Sequence, residues 1–258
     1  MPLTWLAHQT PVVPLKLAKP HLFDATALCV GSMMPDLMYS FSAYVNIDTH
    51  RWPSAYTYGV PLAVTVAYAV RFILAPHLAP RLPDLGSMRL RSYAVLADRF
   101  PNVVVTMISA SLGITSHLLL DTFTHPNGPG VRWLGYADVS IEFAGHTEPL
   151  AGVFQLVGHT FGSLFGLWLF WHVGKRRLLE RWYGEHAVTA ARAIDPAPLA
   201  RTVVPAYIVV GFALGLWWGW NGEMVELIQR PFVGLLAGST AAGVVAYPRR
   251  REDAEAET

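Results

Sequence analysis

The sequence contains few charged residues for its length. Asp, Glu, Lys and Arg together make up 14% of its 258 residues, whereas soluble domains carry about a quarter. The apolar residues are gathered in long uninterrupted runs, and the mean hydropathy is +0.34. This composition argues against an ordinary soluble domain and predicts an all-α integral membrane protein, a bundle of apolar helices.

Features that would indicate several familiar classes of function are also missing. The single cysteine, Cys29, excludes an internal disulfide. The net charge is only +1 and the basic residues are scattered among loops, so nothing indicates nucleic-acid binding. Neither a G-x-S-x-G motif nor a glycine-rich phosphate loop is present. No signal peptide is expected, because two prolines interrupt the mildly apolar N-terminus.

The long apolar segments predict the number of membrane helices. A helix needs about 20 apolar residues to cross a bilayer, and about five segments approach this length: Ala55–Leu74, Val103–Phe123, Leu150–Val173, Val203–Trp220 and Pro231–Tyr247. The shorter segment His21–Met34 is expected to form a core helix or one that only dips into the membrane. We therefore expect one membrane-embedded domain over residues 1–258. Residues 1–175 would carry the site, and residues 176–258 would add two helices and a disordered acidic tail.

Basic residues in the loops predict the orientation of the helices. Short loops rich in Lys and Arg stay in the cytoplasm. Such loops follow the first and third long segments, and the C-terminus carries Arg249, Arg250 and Arg251, whereas the loops between have one arginine each. We therefore expect a multi-pass protein of the cell membrane with a cytoplasmic C-terminus. His50 and the end of the second long helix then lie towards the outer face.

A polar stripe ends the second long segment. In "SHLLLDTFTH", residues 116–125, His117, Asp121 and His125 stand four residues apart. On a helix each step of four turns by about 40°, so the three side chains share one face. A carboxylate in an apolar setting is unfavourable unless something positive neutralises it. The stripe therefore indicates a metal or catalytic site, and the alternative is a polar network between helices. Because Pro126 follows it, His125 is expected to be the last residue of this helix.

Three further residues could complete a metal site. They are His8 near the N-terminus, Asp36 after an apolar run, and His50 before the first long helix. Imidazole nitrogens and carboxylate oxygens are ligands of divalent ions such as zinc. Each residue also has a simpler interpretation: His8 and His50 as interfacial side chains, and Asp36 as the N-cap of a helix from residue 37. The candidate metal ligands are therefore His8, Asp36, His50, His117, Asp121 and His125.

Other polar residues are weaker candidates. His146 and Glu148 lie in the loop after the second long helix and could add ligands. His159 lies in the third long segment, four residues after Gln155. It is expected to make a polar contact between helices rather than to bind a metal.

The same residues carry a resemblance to a known family. The segments "MPLTWLAHQTPVVPL", "CVGSMMPDL", "THRWPSAYTYGVPLAV", "SHLLLDTFTHPNG" and "EPLAGVFQLVGHTFGSLFG" resemble DUF4184, a bacterial family of multi-pass membrane proteins of unknown function. The motif order is also similar to that of predicted membrane-bound metal-dependent hydrolases and, more distantly, of zinc-dependent phospholipase C. This more distant resemblance implies zinc binding by His8, Asp36, His50, His117 and Asp121, with Asp121 as a bridging carboxylate. The chain lacks the later His-x-x-x-Glu pair of the phospholipases, so one or two ions are expected rather than three.

Residues and resemblance together predict a function. We expect a hydrolase that uses one or two divalent ions, with zinc as the first candidate. Its substrate would be an ester or a phosphoester, and membrane lipids are among the possible substrates. Asp121 or Asp36 would help to orient the water, and His125 would act as acid or base. The alternatives are a non-enzymatic protein that holds a structural metal or transports an ion, and a helix-packing network without metal. The sequence leaves the substrate and the oligomeric state open.

Overall fold

The first three helices of the described chain all lie before residue 40. The structure, a computed structural model, describes residues 4–41, 44–45, 47–143, 145–193, 198–220, 227, 229–231, 233–242 and 244–245. It begins with α1 (Thr4–Gln9), α2 (Val13–Ala18) and α3 (Ala25–Tyr39). Asp24 is the N-cap of α3, where its side chain accepts hydrogen bonds from the backbone N–H groups of Thr26 and Ala27. The all-α fold predicted from the composition is confirmed.

The first long helical run, Trp52–Arg81, is built from several pieces. Its α-helical parts are α4 (Trp52–Ser54), α5 (Val60–Ala69) and α6 (Ala75–Leu78); π-helical turns at Ala55–Gly59 and Val70–Leu74 join them, and a 3-10 turn at Ala79–Arg81 ends the run. Pro61 and Pro76 follow the two π-helical turns closely. Because proline has no backbone N–H and clashes with the preceding turn, the helix widens there instead of continuing in regular α geometry.

The remaining elements complete the bundle and add one hairpin. They are 3-10 turns at Gly86–Met88 and Leu90–Asp98, α7 (Val103–Thr124), α8 (Pro129–Trp133), strands β1 (Ser140–Phe143) and β2 (His146–Pro149), α9 (Leu150–Lys175), α10 (Leu178–Tyr183), α11 (Glu185–Ala193) and α12 (Pro198–Gly219). The strands pair antiparallel, with Ser140 opposite Pro149. Positions 229–231, 233–242 and 244–245 are also helical.

Among the described residues, three helices are long and apolar enough to cross a membrane: Trp52–Arg81, α7 and α9. They confirm the first three predicted long segments. The fourth, in α12, has a shorter apolar stretch, Val204–Gly219. The fifth, Pro231–Tyr247, lies partly outside the described residues, and the acidic tail lies wholly outside them. Large apolar side chains such as Ile108, Phe161 and Leu164 point outwards, as expected for helices that contact lipid.

The short apolar segment His21–Met34 belongs to a core helix. Helix α3 has 15 residues and is therefore about 22 Å long, less than the roughly 30 Å of a bilayer core. Nine of its residues are buried, and they pack chiefly against α7 and the first long run. The expected core helix is therefore observed.

Helices α3 and α7 run parallel with their backbones in contact. A Cβ atom at Gly31 would lie 2.3 Å from the carbonyl oxygen of Ala110, and one at Gly113 would lie 2.4 Å from the carbonyl oxygen of Leu28. Any side chain at either glycine would push the helices apart. This close approach aligns the C-terminal part of α3 with that of α7, where the polar stripe lies.

The two basic loops meet at the opposite end of the bundle from the stripe. Arg89, in the loop before α7, pairs with Glu180 of α10 at 2.7 Å. Arg192 of α11 pairs with Asp84 in the same way. Both loops therefore lie on one side, as the alternation of charge predicted. Helix α7 separates them from Asp121, since the 15 residues from Thr106 to Asp121 cover about 22 Å.

Candidate metal centre

The candidate ligands come from four separate parts of the chain. His8 lies on α1, Asp36 on α3, His50 just before α4, and His117 and Asp121 on α7. Asp36 lies inside α3, so its interpretation as the N-cap of a following helix is wrong. Pro35 removes one backbone hydrogen bond, but the helix continues to Tyr39, and the side chain of Thr49 donates a hydrogen bond to the carbonyl oxygen of Pro35.

The ligand atoms of two histidines lie close to each other and to two carboxylates. The Nε2 atoms of His117 and His50 are 3.2 Å and 3.3 Å from Oδ2 of Asp121, and 3.3 Å from each other. Oδ1 of Asp36 is 3.6 Å from Nε2 of His50 and 3.7 Å from Nε2 of His117. Zinc with ligands at 2.0–2.1 Å in a tetrahedron requires ligand atoms about 3.3 Å apart. The three atoms from His50, His117 and Asp121, at separations of 3.2–3.3 Å, therefore fit a zinc-sized ion with little rearrangement.

Surrounding groups hold the two histidines in place. His117 is fully buried, and its Nδ1 lies 2.8 Å from the carbonyl oxygen of Ser32. A carbonyl can only accept, so Nδ1 carries a proton, and Nε2 is the atom that faces the cluster and would bind an ion. The ring of Tyr39 stacks on His50 with the centroids 4.5 Å apart. The backbone N–H of His50 donates to Asp48.

A second group of ligands adjoins the first. The described residues include two sets whose ligand atoms lie within 4.8 Å of one another, namely His50, His117 and Asp121, and His8, Asp36 and His117. His8 stacks on His117 with the ring centroids 4.0 Å apart. Burial, assisted by the charge of His117, lowers the pKa of His8 to about 3. His8 is therefore a neutral imidazole, the form that binds metals. The geometry has room for one ion or two.

The carboxylates at this site need a positive partner. Burial alone would raise the pKa of Asp36, but its contact with His50 and the charge of His117 lower it to about 2. Burial alone would lower the pKa of His50, but contacts with Asp121 and Asp36 raise it to about 9. Without an ion, a protonated His50 supplies the balancing charge. A divalent cation would supply it instead.

His125 lies at the rim and belongs to neither set of ligands. Helix α7 ends at Thr124, one residue earlier than expected, and His125 is its C-cap in an extended conformation. Nδ1 of His125 is 3.7 Å from Oδ1 of Asp121, and its side chain is 47% exposed. Its Nε2 accepts a hydrogen bond from Gln155 at 3.2 Å. The structure therefore assembles five of the six expected ligands and leaves the sixth beside them.

The weaker candidates have different surroundings. His146 and Glu148 are exposed on β2 and belong to neither set of ligands among the described residues. His159 on α9 is buried, and its ring meets that of His8 edge-on at 5.7 Å. The expected contact between helices is thus present. The sequence did not reveal that His159 also lines a cavity beside the ligands; the only signal was Gln155 on the same helical face.

Two cavities lie near the core helices. One of about 220 Å³ is lined by His8, Thr124, Gln155 and His159, among others. The other, of about 470 Å³, is lined almost wholly by apolar side chains and by none of the candidate ligands. The smaller cavity is therefore the one of these two that adjoins the candidate ligands, through His8.

Comparison with known proteins gives one match. No curated protein and no solved structure matches the chain, so the likeness to metal-dependent hydrolases stays a prediction. The family model described as "Domain of unknown function (DUF4184)" matches residues 1–247. This match covers nearly the whole chain, including all six candidate ligands, and the chain therefore belongs to the DUF4184 family.

Proposed function

We propose that this protein is a membrane-integral, metal-dependent hydrolase acting on an ester or phosphoester. The observation that carries the proposal is the convergence of ligand atoms around two histidines. Nε2 of His50 and Nε2 of His117 lie 3.3 Å apart, and each lies 3.2–3.7 Å from a carboxylate oxygen of both Asp36 and Asp121. Two imidazoles and two carboxylates are a donor set that suits zinc or a similar divalent ion. One or two such ions are the proposed cofactor.

The chain's own residues have distinct roles in this proposal. A divalent ion, when bound, supplies the Lewis acidity that activates water and polarises the scissile group. Asp121 directs Oδ2 to the histidines and Oδ1 towards His125, so it can hold a ligand and orient a water at once. His125 is half exposed and carries its proton on Nδ1, because Nε2 accepts from Gln155. It is the residue that can exchange protons with solvent.

Access to the site favours catalysis over a structural metal. The side chains of His50, Asp36 and Asp121 are 17%, 14% and 13% exposed. A structural zinc site is closed by its ligands, whereas a catalytic one keeps a position for water or substrate. The ligands also gather at one end of the membrane helices rather than midway along them, which does not suit a transport pathway.

The substrate proposal includes lipids because of where the site lies. His117 and Asp121 are on the last two turns of α7, which has outward-facing apolar residues such as Leu119. A lipid could therefore reach the site from the membrane. The basic loops at the other end support a cytoplasmic location for that end. The ligands would then lie near the outer face of the cell membrane, with the C-terminus in the cytoplasm.

The test is hydrolysis by the detergent-purified protein loaded with zinc. Chromogenic carboxylic esters, phosphomonoesters and phosphodiesters form the screen, each measured with and without a chelator. We expect turnover of at least one ester class that the chelator removes and added zinc restores, and that Asp121→Asn lacks. Zinc-loaded protein that cleaves none of these, nor any lipid of a membrane extract, would contradict the proposed activity.

A further inference from the structure

The 220 Å³ cavity shares one wall with the candidate metal centre. Its lining includes His8 and Thr10, Leu120 and Thr124 of α7, and Gln155 and His159 of α9. His8 also belongs to one of the two ligand sets. A molecule in the cavity would therefore touch a residue that binds the ion. This contact makes the cavity the space in which the reacting group of a substrate can lie.

Two buried imidazoles line this cavity, and one ring nitrogen of each lacks a hydrogen-bond partner among the described residues. The residues His8 and His159 are 5% and 8% exposed. Among the described residues, Nδ1 of neither one has a hydrogen-bond partner. Buried polar nitrogens are normally satisfied by a protein group, a water or a ligand. The cavity that both line is where such a ligand can be accommodated.

The hydrogen-bonding character of the cavity selects the ligand. The hydroxyl groups of Thr10 and Thr124 already donate to backbone carbonyls. The amide of Gln155 uses one N–H for His125 and keeps a second. The Nδ1 atoms of the two imidazoles are further free donors in the tautomer that carries the proton there. None of the described residues that line the cavity is Asp or Glu. Free donors without a carboxylate match a group that only accepts and is negatively charged. A phosphoryl group has this character, whereas a sugar or glycerol hydroxyl brings donors of its own.

We propose that this cavity binds the phosphoryl group of a phosphoester, with His159 and Gln155 as its donors from α9. This inference rests on the proposed function and narrows its substrate class from esters in general to phosphoesters. His159 is then a substrate-binding residue and not a metal ligand. The phosphoester can be a membrane lipid, since Leu120 at the rim is 39% exposed, or a free molecule with the same group.

The test separates metal binding from phosphoryl binding. Full-length protein in detergent is loaded with zinc, its zinc content is measured, and inorganic phosphate is titrated by calorimetry. The variants are His159→Gln and Gln155→Leu, with His172→Gln as the control because His172 lies at the other end of α9. We expect all to retain the zinc content of the wild type. Phosphate affinity should fall at least tenfold in the first two variants and stay unchanged in the control.

A second arm identifies the source of the phosphoryl group. Phosphatidic acid in mixed micelles and glycerol 3-phosphate compete with inorganic phosphate for the zinc-loaded wild type. Stronger competition by the lipid supports a lipid substrate, and equal or stronger competition by the soluble ester supports a free one. Either result supports phosphoryl binding in the cavity if His159→Gln or Gln155→Leu weakens the competition.

Failure of this inference differs from failure of the proposed function. If zinc-loaded protein binds no phosphate, or binds it equally in all variants, the cavity does not bind a phosphoryl group. The proposed metal centre is not affected by that result. Loss of zinc in His159→Gln makes His159 a metal ligand and also overturns the assignment. If His159→Gln does not fold, Gln155→Leu alone decides the matter. A wild type that binds no zinc overturns the metal centre and this inference together.

Discussion

Nδ1 of His117 donates a hydrogen bond of 2.8 Å to the carbonyl oxygen of Ser32. This contact crosses from α7 to α3 and leaves Nε2 of His117 facing Asp121 at 3.2 Å. Histidines that bind metals commonly have their other nitrogen fixed in this way. The core packing of two helices therefore also sets the tautomer of the most buried candidate ligand.

The contact between α3 and α7 is sensitive to a single methyl group. In Gly113→Ala, the new Cβ would lie 2.4 Å from the carbonyl oxygen of Leu28. Overpacking of this kind costs about 1–3 kcal/mol, so we expect a lower midpoint of thermal unfolding and weaker zinc binding. Gly152→Ala is the control, because a Cβ at Gly152 meets nothing within 4 Å. Equal stability and zinc affinity in both variants would contradict the close helix contact.

A buried ion pair at the opposite end should matter for stability but not for metal binding. Nη2 of Arg71 is 2.7 Å from Oδ1 of Asp24, and both side chains are almost fully buried. Arg71→Met leaves the carboxylate uncompensated, which destabilises a protein by about 3–5 kcal/mol. We expect a lower unfolding midpoint with the zinc content per folded molecule retained. Loss of zinc from folded Arg71→Met would show that the two ends are coupled.

Zinc affinity should increase with pH in a way that depends on His50. Burial lowers the pKa of His50, but Asp121 and Asp36 outweigh that effect and raise it to about 9. The imidazole is therefore protonated in the ion-free protein at neutral pH. A bound ion must displace that proton, so affinity should rise by about tenfold per pH unit up to pH 9. Competition titrations between pH 6 and 9 measure this slope. In His50→Gln the affinity should be lower and the slope flatter, and an unchanged slope would remove His50 from the site.

His125 should affect the rate and leave the metal in place. It lies 3.7 Å from Asp121 and belongs to neither ligand set. If it transfers protons, His125→Ala should lower kcat by about 10²–10⁴-fold at unchanged zinc content. The control is His146→Ala, which removes an exposed histidine on β2. It should change neither kcat nor the zinc content. A loss of zinc in His125→Ala would instead make His125 a ligand.

Part of this architecture could be predicted from the sequence because the signals are local. The i, i+4 spacing of His117, Asp121 and His125 predicts one helical face. The apolar runs predict the three helices, among the described residues, that are long and apolar enough to cross a membrane. The position of Asp36 inside a helix could not be predicted in this way, because a proline before it indicates a helix boundary. Packing of α3 on α7 outweighs that preference, and the helix continues to Tyr39.

The rest of the site depends on contacts between distant parts of the chain. The alignment of α3 with α7 follows from backbone contact at Gly31 and Gly113, which no periodic pattern reveals. The meeting of His8 with His159 depends on α1 packing against α9. A six-residue helix with one histidine gives no local signal for this. Residue type and the family resemblance both made His8 a candidate ligand, but neither predicts its contact with His159.

The most direct test of the metal centre is the metal content of the detergent-purified protein, measured by mass spectrometry without chelators at any step. Wild type is compared with His117→Ala and Asp121→Asn, the second of which keeps the shape of the side chain and removes its charge. We predict one or two equivalents of zinc or a similar ion in the wild type and loss from both variants. A wild type without metal, with both variants folded and equally stable, would contradict the account and make the stripe a polar network between helices.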